Sequence, residues 1–163
     1  MTERVYRVAM GKGMVGSASD WDVITSSGIG SCIALVIYDP INMTGGLAHI
    51  MLPAFTGSSY KLHPYAYADS AVKVFITRLT GIGSDKKSLV AKAAGGANMF
   101  TNNHPGTQTV GEQNVLSVKL ILEKYKIPLI GADLGGKKGR SVELKLIDGG
   151  LFVSTIEGEI KEI

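Results

Sequence analysis

The chain has 163 residues, enough for one sizeable core, and we expect residues 1–163 to form a single domain. A hydrophobic fraction of 45% and a charged fraction of 19% exclude a disordered chain. The net charge of +3 is too small to indicate nucleic-acid binding, and the apolar run at 32–38 is too short to insert into a membrane. One cysteine and no secretory signal predict a cytoplasmic protein.

The first part of the chain combines strand patterns with glycine-rich segments. Residues 4–10 partly alternate and predict a strand. Residues 11–16 match G-x-G-x-x-G, but turn residues follow where a dinucleotide site needs a helix, so we predict a glycine-rich loop without a cofactor. Residues 21–25 predict a short strand that runs into a loop of small residues at 26–32.

Two apolar strands joined by a turn are predicted to form the centre of the fold. Residues 33–38 are apolar at odd and even positions, which predicts a central strand covered on both faces. A turn at 39–42 leads into a second apolar strand at 45–53, which favours antiparallel pairing. Such pairing places the start of one strand opposite the end of the other. It therefore brings His49 within a few positions of Cys32.

The rest of the chain predicts helices alternating with strands. Residues 67–80 and 110–125 each carry one apolar stripe at three- and four-residue spacing, which predicts two helices. Strands are predicted at 88–94, 128–134, 142–147 and 151–156, and loops at 54–64 and 101–109. Gly95-Gly96 is predicted to mark a turn or a place where substrate backbone comes close. The fold class is therefore α/β, a single-domain sandwich with a mixed sheet.

Cys32 is the candidate nucleophile, because it ends a loop of small residues at the start of a strand. Backbone N–H groups around Gly30 and Ser31 are expected to lower the pKa of the thiol and to support an oxyanion. A lone cysteine is also often a small buried hydrophobe. His49 is the plausible general base, although a histidine on an apolar strand can be a core residue.

A Cys–His pair usually needs a third group that fixes the imidazole tautomer. The nearby candidates are the hydroxyls of Thr25, Ser26 and Ser27. His63 and His104 each precede a proline and are predicted to be surface residues. Scattered histidines and one cysteine have no metal-ligand spacing, so neither a metal nor an organic cofactor is predicted. These residues predict a thiol hydrolase that acts on an amide or ester.

Motifs along nearly the whole chain extend this pattern. They are GIGSC at 28–32 with Asp-Pro at 39–40, GLAHIMLP at 46–53, YAD at 67–69, KAAGGANMF at 92–100, VGEQN at 110–114, and GG at 135–136 with GRSV at 139–142. In this order they resemble the chemoreceptor glutamine deamidases (CheD). The resemblance implies a compact α/β sandwich like the catalytic domain of the cytotoxic necrotizing factor toxins, with a Cys–His–Thr triad.

The resemblance also implies an activity, the conversion of particular glutamines of methyl-accepting chemotaxis receptors to glutamate with release of ammonia. By position, Cys32 is the nucleophile and His49 the base, and the family threonine falls on Ser26, with Thr25 as the alternative. A further implied partner is the chemotaxis phosphatase CheC. Two other functions stay open, a regulatory partner of that phosphatase and a peptidase or general thiol hydrolase.

Overall fold

Two β-sheets stack face to face, and both α-helices cover the outer side of the second sheet. The computed structural model describes residues 2–54, 62–100 and 106–163. The first sheet contains, in spatial order, β1 (Val5–Arg7), β3 (Val23–Ile29), β8 (Arg140–Lys145), β9 (Leu151–Thr155) and β10 (Ile160–Glu162). The second contains β2 (Gly13–Ser17), β5 (Thr44–Ile50), β4 (Ile33–Asp39), β6 (Val90–Gly95) and β7 (Leu129–Leu134). The helices are α1 (Ala68–Gly81) and α2 (Val110–Lys124), with 3₁₀ turns at Pro64–Ala66 and Lys86–Ser88.

The predicted α/β sandwich is confirmed, but its strands form two sheets where one was expected. Each sheet is mixed, because β1 pairs in parallel with β3 and β6 pairs in parallel with β7. The strand β10 was not predicted, since it has only three residues and all of them are exposed, Ile160 included. The likeness to the necrotizing factor toxins stays a prediction.

The central antiparallel pair is confirmed, and its register is now defined. Ile33 lies opposite Ile50 and Ala34 lies opposite His49, so His49 is offset by two residues from Cys32. All side chains of β4 and β5 are buried. Odd residues of β4 pack towards the helices and even residues pack between the sheets, which explains its uninterrupted apolar sequence.

The glycine-rich segment at 11–16 was predicted to be a loop, and that prediction is wrong for most of it. Gly13–Ser17 is an edge strand paired with β5. Glycine is required there by close packing, because a Cβ at Gly13 would lie 2.4 Å from a ring carbon of Tyr65. The glycines therefore indicate a loop in the sequence, whereas residues 13–17 pair as a strand in the fold.

The second predicted strand is also longer than expected. Residues 26–29 were assigned to a loop, whereas β3 continues to Ile29 through an irregularity after Ser26. Gly28 adopts φ 69° within this irregularity, a conformation that glycine allows. Ser26 is thus held on a strand, which fixes its side chain more firmly than a loop would.

The two predicted helices are confirmed to within about one residue at each end, a normal uncertainty of helix boundaries. The apolar stripe of α1 is buried through Val72, Phe75 and Leu79. Thr109 caps α2 in a capping box with Glu112, which shows why the preceding loop ends there. Within the described ranges, neither helix is long and apolar enough to cross a membrane.

Candidate active site

Ser26 and His49 meet across the space between the two sheets. Ser26 Oγ lies 2.9 Å from His49 Nδ1. Ser26 comes from β3 of the first sheet and His49 from β5 of the second, and their exposed fractions are 3% and 1%. The sandwich therefore brings together two residues that stand 23 positions apart in the chain.

The hydrogen bonds of Ser26 determine which nitrogen of His49 carries the proton. Ser26 Oγ also lies 2.7 Å from the carbonyl oxygen of Val8, which can only accept. The single hydroxyl proton must point at that carbonyl, so Oγ accepts a hydrogen bond from Nδ1–H of His49. Neutral His49 then carries its proton on Nδ1, and Nε2 holds a free lone pair.

The Nε2 atom is buried and has no hydrogen-bond partner among the described residues. In particular, it makes no hydrogen bond with the sulfur of Cys32. Burial lowers the pKa of His49, because the charged imidazolium is poorly solvated in the interior. The resting state is therefore a neutral imidazole with an unused basic nitrogen, the state that a general base requires.

Thr25, the alternative to Ser26, does not contact His49. Its Oγ1 donates to the carbonyl oxygen of Val142 at 2.8 Å, within the first sheet. Successive residues of a strand face opposite sides, so Thr25 and Ser26 cannot both face the second sheet. The structure thus pairs His49 with Ser26.

Cys32 is half-buried between β3 and β4, and its surroundings correct one expectation. Burial raises the pKa of the thiol, whereas the sequence predicted a lowered value. A backbone N–H at Cys32 acts in the predicted direction, but desolvation is the larger effect. The resting residue is therefore a thiol that needs a base to become nucleophilic.

The Cys32 loop is fastened to the protein through its carbonyl groups. Gly30 O accepts from Ala97 N at 2.9 Å, and Cys32 O accepts from Gly96 N at 2.8 Å. Gly95 and Gly96 have φ values of 121° and 67°, and a Cβ on Gly95 would lie 2.3 Å from Cys32 O. The glycine pair thus allows a close approach of the chain's own backbone to the Cys32 loop, whereas the sequence predicted a turn or a close approach of substrate backbone.

Helix α2 contributes to the site in a way that the sequence prediction missed. Its cap, Thr109, and its first residues, Val110 and Gly111, border the same cavity of about 590 Å³ as Cys32. The N-terminus of a helix carries a partial positive charge, which stabilises a thiolate or an oxyanion nearby. The Thr-x-x-Glu capping pattern in the sequence gives the start of the helix, but only the fold shows what lies beside it.

The rim of this cavity is apolar and exposed. Met10, Met99 and Phe100 border it, with exposed fractions of 59%, 52% and 81%. Exposed large hydrophobic side chains grouped in one patch are typical of a surface that binds another macromolecule. The opening therefore suits a side chain presented on a protein surface.

The remaining histidines and possible metal ligands lie apart from this arrangement. His63 is exposed, as predicted, and its Nδ1 lies 3.4 Å from Lys12 Nζ, whereas His104 lies outside the described residues. Across residues 2–54, 62–100 and 106–163, no three His, Cys, Asp or Glu side chains are grouped to hold a metal ion.

A family model and three relatives that resemble this chain all point to one protein family. A family model described as CheD chemotactic sensory transduction matches residues 51–155. A probable chemoreceptor glutamine deamidase CheD of Clostridium acetobutylicum is 36% identical over 162 residues, which is 99% of this chain and 98% of that protein. Its counterpart in Caldanaerobacter subterraneus is 36% identical over the full length of both chains.

A third relative with the same name, from Clostridium kluyveri, is 38% identical over 98% of this chain and 99% of its own. The family model begins after His49, so it does not cover Ser26, Cys32 or His49. The relatives do, because their similarity extends over almost every residue of this chain.

Proposed function

The chain belongs to the CheD family, and we propose that it deamidates glutamine side chains of methyl-accepting chemotaxis receptors. Relatives that cover nearly its whole length are named probable chemoreceptor glutamine deamidases. The observation that carries the proposed mechanism is the hydrogen bond from His49 Nδ1–H to Ser26, which leaves Nε2 as a buried, unpartnered base. A structural histidine in a core would be expected to satisfy both ring nitrogens.

The first half of the proposed reaction forms a thioester. His49 Nε2 takes the proton of Cys32, and the thiolate attacks the carboxamide carbon of glutamine. The thiol and Nε2 need not be in contact in the resting state, since catalytic contacts are often looser before substrate binds. His49 then protonates the departing nitrogen, and the C–N bond breaks with release of ammonia.

The second half returns the enzyme to its resting state. His49 takes a proton from water, and the resulting hydroxide attacks the thioester carbon. The C–S bond breaks, glutamate is released, and the proton returns to Cys32. The overall reaction consumes one water and yields one carboxylic acid and one ammonia, so it needs no redox partner.

The Cys32 loop supports an oxyanion site for both attacks. The carbonyls of Gly30 and Ser31 are engaged by donors from the protein. In a trans peptide the N–H points away from the carbonyl, so the N–H groups of Ser31 and Cys32 are directed away from these anchors. Two such N–H groups are a suitable pair for the negative oxygen of a tetrahedral intermediate.

The substrate test uses a purified receptor cytoplasmic fragment. We expect the wild-type protein to release ammonia and to raise the mass of the fragment by about 1 Da per glutamine converted, the outcome of thiol-catalysed amide hydrolysis. Cys32→Ala should abolish both signals and keep the fold. Ammonia release by the variant would refute the proposal, and cleaved peptide bonds would favour the peptidase alternative.

We also propose that a CheC-type phosphatase binds this chain in the cytoplasm, where a free thiol persists. The family resemblance supports the partner, and Cys32→Ser separates binding from catalysis. If the function were binding alone, supplying the inactive variant would restore normal chemotaxis in cells that lack the protein. Failure of that variant, with binding intact, would support the enzymatic function.

A further inference from the structure

One side chain completes the restraint of the nucleophile loop. Three successive carbonyls of this loop, those of residues 30, 31 and 32, each accept a hydrogen bond. The outer two are held by backbone N–H groups. The middle one, Ser31 O, is held by Asn114 Nδ2 of helix α2 at 2.9 Å.

Asn114 also reaches the strand that carries the base. Its Nδ2 donates a second hydrogen bond to Met51 O at 3.1 Å, directly after the end of β5. Both partners are carbonyl oxygens that can only accept, so the NH₂ group must face them and the amide orientation is fixed. Asn114 therefore joins the nucleophile loop to the end of the His49 strand.

The other half of the amide argues against a purely structural role. Asn114 is 0% exposed, and its Oδ1 has no hydrogen-bond partner within the described part of the chain. A buried polar atom without a partner is destabilising, and such atoms in native proteins call for an explanation. Asn114 thus supplies the N–H donors that the carbonyls of Ser31 and Met51 need, although its own Oδ1 is left unsatisfied.

We propose that Asn114 is a positioning residue for the oxyanion site, an inference that rests on the deamidase function proposed above. Because the Ser31–Cys32 peptide is planar, holding Ser31 O also sets the direction of the Cys32 N–H. That N–H lies beside the sulfur and acts on it. Asn114 thus directs the Cys32 N–H towards the oxygen of the substrate carboxamide without itself contacting the substrate.

Two reactions of the same thiol test this role separately. Deamidation builds an oxyanion, whereas alkylation of Cys32 by iodoacetamide does not. For Asn114→Ala we expect kcat on the receptor fragment to fall about 10- to 100-fold, somewhat less than removal of an oxyanion donor itself. KM should stay within about threefold, because the sulfur and His49 keep their places. The alkylation rate, compared at a pH where the thiol is fully ionised so that the pKa of Cys32 has no influence, should also stay within about threefold.

Ser117→Ala is the matched control. Ser117 lies one turn further along α2 and donates to Pro53 O at 2.8 Å, so its loss removes a similar helix-to-loop bond away from Cys32. We expect its kcat and alkylation rate to equal those of the wild type. Asn114→Ser keeps one donor in a smaller side chain, and it should show an intermediate kcat with normal alkylation even if Asn114→Ala does not fold.

Three results would overturn the inference. A parallel fall of kcat and alkylation in the Asn114 variants would indicate a general structural role. If the wild-type protein is active and the Asn114 variants have the same kcat as Ser117→Ala, the positioning role is refuted while the proposed function stands. Absence of ammonia release from the wild-type protein would refute the proposed function and this inference with it.

Discussion

Replacing Ser26 by alanine removes the hydroxyl that links His49 to the backbone of Val8. Two buried polar groups then lose their partners, Nδ1–H of His49 and the carbonyl oxygen of Val8. At about 1–3 kcal/mol for each unsatisfied group, the free energy of unfolding should fall by about 2–6 kcal/mol. That is a large part of the stability of a typical domain, so urea denaturation should detect it easily.

The loss of activity follows from the charge that His49 acquires during the reaction. When His49 becomes an imidazolium, its hydrogen bond to Ser26 is charge-assisted and contributes about 1.5–3 kcal/mol. Without that bond, kcat should fall about 10- to 150-fold, since each 1.36 kcal/mol is a factor of ten. Ammonia release from a receptor fragment measures kcat directly.

Two neighbouring variants make this prediction specific. Thr25→Ala also removes a hydroxyl hydrogen bond, a part-buried one to Val142 O at 2.8 Å, but leaves His49 untouched, so kcat should stay at the wild-type value. Ser26→Thr keeps the hydroxyl and should retain kcat within about threefold, because threonine merely restricts the rotamer. Equal losses in Thr25→Ala and Ser26→Ala would refute the proposed orientation of His49.

The remaining predictions concern pH and the nucleophile loop. Burial lowers the pKa of His49, so kcat/KM should stay level down through its ordinary value of 6.5 and fall only at lower pH; a midpoint above 6.5 would contradict this. Below pH 6.5, His49 binds a proton in the unfolded chain but stays neutral in the folded chain. The free energy of unfolding should therefore decline as pH falls from 6.5 towards the lowered pKa of His49. In His49→Gln, the alkylation midpoint of Cys32 should exceed the ordinary thiol value of 9.0, because burial raises its pKa, and a midpoint below 9.0 would count against the buried thiol. Gly95→Ala should lower the melting temperature and kcat more than Gly83→Ala, since both have positive φ but only Gly95 faces Cys32 O; equal effects would show that contact to be unimportant.

The sequence was sufficient to predict that Cys32 and His49 lie near each other, because their proximity depends on short-range patterns. The apolar character of β4 on both faces predicted a central strand, and the turn after it predicted the antiparallel partner. Pairing in that direction placed the two residues near each other before any register was available. The register then followed from the fold, with Ala34 opposite His49.

The choice between Ser26 and Thr25 could not be made in the same way. It depends on which face of β3 is directed at the second sheet, and the sequence predicted that this strand ended at residue 25. The division of the strands into two sheets is a long-range property that alternation does not encode. Once Ser26 lies on the inner face, Thr25 necessarily bonds within its own sheet.

Asn114 and the direction of the Cys32 pKa shift were beyond sequence reasoning for a related reason. Asn114 stands in a predicted helix 83 residues from Ser31, and no local pattern connects them. The pKa of Cys32 depends on the balance between desolvation and a backbone N–H, and that balance is a property of the packed site.

The proposed mechanism requires resting His49 to be neutral with its proton on Nδ1. Nitrogen-15 NMR of the imidazole, recorded on the folded protein at neutral pH, measures this directly and needs no substrate. The hydrogen bond to Ser26 predicts a one-bond N–H coupling at Nδ1 and an unprotonated Nε2. A proton on Nε2, or on both nitrogens, would contradict the account.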